Sequence, residues 1–277
     1  MDLLNLTGGS LFTHDYLWEA IREDDAYQEI DIAKATAMLL PIFNECPTQR
    51  NPIEAQTEDD LIWPILAGLG WTDALRQQNL ASRGRDNVPD GLLFLNHEAK
   101  QVADEHVEDW KRYEHGAVVV ESKRWERPLD RGLSKKNEAT APSTQMLRYL
   151  RRVDDLTGGS LRWGFLTNGS IWRLYYQGAR SVSEQYFEID LAALLQIRGN
   201  LLETDNSETA VAEREHLLRV FVLMFQQASF VPSATDLRTF HLKAIEAGKF
   251  YEERVAENLS NVVFNTVFPK LAEAISN

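Results

Sequence analysis

Cysteine is almost missing from this sequence: Cys46 stands alone among 277 residues, and an intramolecular disulfide is therefore excluded. Long apolar runs are missing too, so no span of bilayer length is expected and no membrane partner. The opening Met1-Asp2-Leu3-Leu4 lacks the basic stretch of a secretory signal. These absences together predict a reducing, cytosolic compartment. No glycine-rich cofactor loop is found. Positive charge is in short supply, with 29 Lys and Arg against 42 Asp and Glu, a net charge of -13 and a pI near 5.0. Such a balance predicts long-range repulsion from polyanions. What is abundant is apolar material: 44% of the residues are hydrophobic, enough for a substantial core.

Apolar or alternating runs at Gly91–Leu95, Ala117–Glu121, Trp163–Thr167, Ile171–Tyr176 and Tyr186–Ile189 predict strands. Val118–Val120 is apolar at consecutive positions, as in a central strand covered on both faces. Helical spacing covers Glu58–Leu69 and Ser143–Leu156, the second with Ser143 as N-cap after Pro142. The expected fold class is α/β or α+β, a mixed central sheet flanked by helices. Residues 1–49 read as an acidic helical N-terminal extension, with helix-like spacing over 14–45. Residues 50–190 hold the sheet, and 191–277 form a helical C-terminal region. That region reads as helices at Leu191–Leu202, Ala210–Ala228 and from Thr235 toward Ile275, with a linker at 203–208. No helix stop follows Pro269, which suggests a connector to further domains.

Two strand-like segments carry the chemistry, Val88-Pro89-Asp90-Gly91 and Val119-Val120-Glu121-Ser122-Lys123. Side chains alternate along a strand, so Glu121 and Lys123 share one side while Val118, Val120 and Ser122 take the other. If the two segments pair, Asp90 and Glu121 converge on a divalent cation. Carboxylates, carbonyls and waters are the ligands Mg²⁺ prefers. Phosphodiester hydrolysis needs a nucleophilic water, neutralisation of developing charge and help for the leaving oxygen, all of which a bound Mg²⁺ can supply. Lys123 would orient or deprotonate the water. The plainer account is that Asp90 caps a turn and that Glu121 and Lys123 form an ordinary charge pair.

The order Asp90, Glu121-Ser122-Lys123, Gln145-Met146-Leu147-Arg148-Tyr149 resembles the PD-(D/E)xK nuclease superfamily, in particular its branch with a Gln-x-x-x-Tyr helix after the catalytic strand. On a helix Gln145, Tyr149 and Arg152 share a polar face, opposite Met146, Leu150 and Val153. Ile53-Glu54-Ala55-Gln56-Thr57, running through Leu61-Ile62-Trp63-Pro64-Ile65-Leu66 to Leu69-Gly70-Trp71, is similar to the opening helix of restriction-enzyme nuclease domains. Trp163–Tyr175 is similar to the hairpin that follows the Gln-x-x-x-Tyr helix there, with Asn168-Gly169 supplying the positive φ angles of its turn. The resemblance covers about residues 50–190. It implies a restriction-endonuclease-like fold and a metal-dependent DNA endonuclease of a restriction-modification or phage-defence system. It implies Mg²⁺, with Mn²⁺ able to substitute, held by Asp90, Glu121 and the Ser122 carbonyl, and supported by Glu54. Glu58, one turn later, competes with Glu54 for that position, and a capping role fits either. Lys123 would position the water, and Gln145 and Tyr149 would orient Lys123 or a DNA phosphate. No methyltransferase sequence accompanies these motifs, so target recognition would come from a partner subunit or region.

Charge is unevenly spread. Residues 1–60 hold only Arg22, Lys34 and Arg50 against many acids, whereas residues 121–152 hold nine bases against Glu121, Glu126, Asp130 and Glu138, a local +5. Basic residues of 124–136 are candidates for phosphate contact, with Trp125 stacking or wedging nearby; a solvated charged loop is the alternative. The competing functional classes are a non-catalytic nuclease-like module that binds DNA or protein, and an RNA nuclease. His97, His106 and His115 are nine apart, a spacing that matches no close metal site, and read as solvent-exposed, the first two within a polar connector over 97–114. Leu-Thr-Gly-Gly-Ser-Leu occurs at Leu6–Leu11 and Leu156–Leu161, suggesting two similar turns.

Overall fold

The computed structural model describes residues 6–46, 52–81, 84, 87–134, 139–197 and 207–270. A seven-stranded mixed sheet flanked by helices organises the chain, so the α/β class holds. Its strands are β1 (Thr7–Gly8), β2 (Ala74–Arg76), β3 (Gly91–Leu93), β4 (Val118–Ser122), β5 (Trp163–Thr167), β6 (Ile171–Tyr176) and β7 (Tyr186–Asp190), laid out in the order β1-β7-β6-β5-β4-β3-β2. Only β4 and β5 run parallel. A parallel pair cannot be closed by a tight turn and needs a long crossover, which here contains a 16-residue helix. β1 and β2 are too short for a period of two to be read from the sequence, and neither is among the expected strands.

The helices are α1 (His14–Trp18), α2 (Asp25–Gln28), α3 (Ile32–Glu45), α4 (Glu54–Thr57), α5 (Trp63–Gly68), α6 (His97–Asp104), α7 (Asp109–Arg112), α8 (Pro142–Thr157), α9 (Leu191–Leu194), α10 (Glu208–Phe225) and α11 (Phe240–Val262). Helical spacing over 14–45 resolves into three helices because Asp24 and Asp31 turn the chain out and cap the helices that follow them. The polar connector expected over 97–114 joins β3 to β4 and is helical: Asn96 caps α6, and α7 follows before Tyr113–His115. Ser143 is not the N-cap of α8. Ala141 holds that position, Pro142 is the first helical residue, and the Ser143 N–H donates to the Leu129 carbonyl. α11 begins at Phe240, not Thr235, because the Thr239 hydroxyl accepts from the Leu242 N–H. α9 ends at Leu194; residues 198–202 of the expected helix, 203–206 of the linker and 271–275 of the last helix lie outside the described residues, as do Arg50, Lys135 and Lys136. The two Leu-Thr-Gly-Gly-Ser-Leu copies differ, the first forming β1 and the second ending α8 at Gly158 in the left-handed region.

α4 continues through a π turn (Glu58–Ile62) into α5, so Glu54 to Gly68 is one helical run. Pro64 explains the widened turn: it has no N–H to give Asp60, and its ring would crowd that carbonyl in a regular helix. Between β5 and β6, Gly169 alone adopts positive φ (82°), not both residues of Asn168-Gly169. The Asn168 side-chain oxygen accepts from the Ser170 and Ile171 N–H groups and closes the turn.

The two sheet faces are covered differently. Val118, Val120, Phe165, Trp172 and Phe187 face a large cluster drawn from α1, α3, α5 and α10. Val119 faces a second cluster with Leu92, Tyr149 and Val153, where α8 packs. Phe225 lies at the centre of the first, against Phe165, Trp172, Phe187 and Phe221. Residues before 50 and after 190 therefore share the core of the sheet.

Candidate active site

Antiparallel pairing of β3 with β4 sets Gly91 opposite Val120, and so brings Asp90, just before β3, beside the end of β4. Asp90 Oδ2 accepts from the Ser122 N–H at 2.8 Å and lies 3.0 Å from its hydroxyl. The Ser122 hydroxyl also lies 2.7 Å from Glu58 Oε1. Ser122 thus faces α4 and its π turn, while Glu121 shares the face of Val119, towards α8. In a strand the N–H and C=O of one residue point the same way, so the Ser122 carbonyl is directed to the same end of the sheet as the N–H held by Asp90.

Lys123 gathers the carboxylates. Its ammonium pairs with Glu121 Oε1 and stands 3.8 Å from Glu54 Oε1 and 4.0 Å from Asp90 Oδ2. Glu54 is further fixed by the Arg124 N–H at 3.3 Å and lies 4.0 Å from the buried Arg127 guanidinium. Both first-helix glutamates reach the site, Glu54 on Lys123 and Glu58 on Ser122. The sequence offered Arg127 only as one of the loop bases for phosphate contact; it is instead buried beside Glu54.

Burial dominates the electrostatics. It pushes the Glu121 carboxyl up to about 8, with the nearby Asp90 charge adding and Lys123 opposing. Burial alone would lower Lys123, yet the Glu121, Asp90 and Glu54 charges leave it above its ordinary value. Lys123 is therefore a cation here, suited to orienting a water or meeting a phosphate oxygen rather than accepting a proton. Burial also raises Glu58, against the hydrogen bond from Ser122. Four carboxyl groups crowd one lysine and one arginine, and Glu121 Oε2 is buried with no hydrogen-bond partner among the described residues.

That unpartnered oxygen and the excess of hard oxygen donors fit a divalent cation. Among the described residues no three His, Cys, Asp or Glu side chains form a ready-made metal cluster. The expected ligand set does not demand one, since it comprises Asp90, Glu121 and the main-chain oxygen of Ser122, and Mg²⁺ keeps several waters.

Gln145 and Tyr149 are placed differently from the expectation. Tyr149 is buried, its hydroxyl accepting from Gln145 Nε2 at 2.8 Å and reaching the Val88 carbonyl at 3.5 Å. The pair therefore braces the segment that carries Asp90, and Lys123 takes its ion-pair partners from Glu121, Asp90 and Glu54. Trp125 does not stand ready to stack or wedge: its ring is buried edge-on against Phe43, and its main-chain N–H donates to the Thr57 hydroxyl. Of the three histidines expected at the surface, His97 is exposed and the other two are not. His106 and His115 are half-buried with their Nε2 atoms 3.2 Å apart, and His97 reaches Asp73 at 2.9 Å.

Compared with family models, with curated proteins and with solved structures, the chain matches none of them. No helix among the described residues is long and apolar enough to cross a membrane.

Proposed function

We propose that the protein is a metal-dependent nuclease that hydrolyses DNA phosphodiesters, with Asp90, Glu121 and Lys123 at its centre. The observation that carries this reading is the buried Lys123 ammonium held against Glu121, Asp90 and Glu54 at the end of the parallel strand pair. A structural salt bridge needs one carboxylate. Three around one lysine, with a fourth on Ser122, make a cluster of hard oxygen donors that a divalent cation would complete.

In this reading Asp90, Glu121 and the Ser122 carbonyl hold Mg²⁺ or Mn²⁺, and Glu54 or Glu58 supports that shell. The cation, when bound, supplies Lewis-acid neutralisation of the phosphate and a more acidic water. Lys123 holds the attacking water by donating to it and offsets charge on the phosphate oxygens. Ser122 fixes Asp90 through its N–H, and Gln145 and Tyr149 steady Val88, two residues ahead of Asp90. The proposal extends to a restriction-modification or phage-defence setting, where a methyltransferase or target-recognition partner would choose the cutting site.

Supercoiled plasmid incubated with Mg²⁺ or Mn²⁺ tests the reading. Nicking by the wild type should fall about 100-fold or more in Lys123→Ala and in Asp90→Ala. Equal nicking by all three proteins would refute it.

A further inference from the structure

Beside the carboxylate site, the outer face of α8 borders a cavity of about 540 Å³. Arg148, Arg151 and Arg152 line it with Thr144, Asn87 and Asp155. All three arginines are exposed. Arg148 lies over the Tyr149 ring, 5.5 Å from its centroid, and is held in place by it. Among the described residues Arg151 and Arg152 have no ion-pair partner, and Asp155 is the one acid in the lining. Three guanidinium groups on one helix turn repel one another, and a protein of net charge -13 has ample carboxylates with which to neutralise them. Here they stay together and open to solvent.

The position of the cavity matters as much as its charge. Asn87 lies three residues before Asp90, and Thr144 lies next to Gln145, so the cavity sits between the two segments that Tyr149 joins. Resting on the nuclease reading, we propose that Arg148, Arg151 and Arg152 are the docking site for the sugar-phosphate backbone of the nucleic acid that enters the Asp90–Lys123 site. Guanidinium groups pair with phosphate oxygens through two parallel N–H bonds, and Thr144 and Asn87 add neutral donors. The rest of the acidic surface repels the polymer, so the arginine face selects where it lands. This assigns phosphate contact to α8 rather than to the 124–134 loop, whose Trp125, Arg127 and Leu129 are buried.

The test measures fluorescence anisotropy of labelled single-stranded DNA, duplex DNA and RNA oligonucleotides with the full chain. It is run in EDTA, so that binding is read without cleavage. Loss of two phosphate contacts should weaken duplex binding roughly 50-fold at 0.1 M salt and lower the salt slope by about 2 in R151A/R152A. R151K/R152K, which keeps the charge, should retain most of the binding. Circular dichroism checks that the exposed substitutions leave the fold intact. Equal affinity and slope for wild type and R151A/R152A would overturn the proposal, as would absence of wild-type binding to all three polymers. Preference for RNA over DNA would keep the docking site and change the polymer. Wild-type binding that depends on the arginines, with no plasmid nicking, would refute the nuclease reading and leave the docking site standing.

Discussion

Acid should unfold this protein through two buried histidines. His216 lies 2% exposed between Tyr27, whose hydroxyl is 2.7 Å from Nδ1, and the Leu17 carbonyl, 3.0 Å from Nε2. His241 is fully buried between Trp163 and Phe230, with Nε2 donating to the Met224 carbonyl. Burial lowers both from 6.5 to about 4. Because the folded value is the depressed one, each histidine's contribution is present above pH 6.5 and is lost as pH falls from 6.5 towards 4. At 1.36 kcal/mol for each tenfold change in proton affinity, the full loss is about 3 kcal/mol per histidine. By pH 5 it is about 2 kcal/mol each, and the pair together removes a large part of an ordinary domain's 5–15 kcal/mol, an order-of-magnitude comparison. Urea unfolding from pH 5 to 8 of the wild type, H216Q, H241Q and the double variant measures this. Glutamine keeps a neutral donor near each carbonyl, so the variants lose some stability at pH 8 but should show a flatter pH dependence, flattest in the double variant. A double variant with the same loss between pH 7 and 5 as the wild type would refute the reasoning.

Three further outcomes follow from packing and geometry. Phe225→Ala should cost about 3–5 kcal/mol in urea unfolding, since the ring meets four other aromatic residues in the sheet's core. Gly169→Ala should cost about 1–3 kcal/mol, because φ is 82° and the added Cβ would stand 2.6 Å from Leu61 Cδ2. Tyr149→Phe should leave the fold intact and lower plasmid nicking about tenfold, through the lost hydroxyl that steadies the Asp90 segment; unchanged nicking would remove the hydroxyl from the mechanism.

The strands that carry Glu121 and Phe165 were legible because they are buried on both faces and read as unbroken apolar runs. β1 and β2 were not, since two or three residues make no pattern and their place is set by partners far along the chain. Glu121 and Lys123 could be foreseen as neighbours because alternate residues of a strand share a face, whereas Asp90 joins them only through the pairing of β3 with β4, which the sequence left as a condition. Glu58 and Arg127 could not be assigned, as their positions depend on how the π turn and the loop after β4 fold back. Tyr149 shows a similar limit: helical spacing set it on a polar face with Gln145, but its ring is long enough to bury while the hydroxyl keeps its hydrogen bonds.

The shortness of β1 and β2 has a consequence for cutting the chain into fragments. An open strand edge is a template for pairing with another chain, and short closing strands blunt it. Thr7–Gly8 covers β7 along Glu188 and Ile189. A fragment that starts after residue 12 would expose that row of donors and acceptors, with Phe187 and Ile189 stripped of the Leu11 and Phe12 side of their cluster. Trimming to the motif-bearing middle would therefore convert a self-limiting sheet into one open to edge-to-edge association.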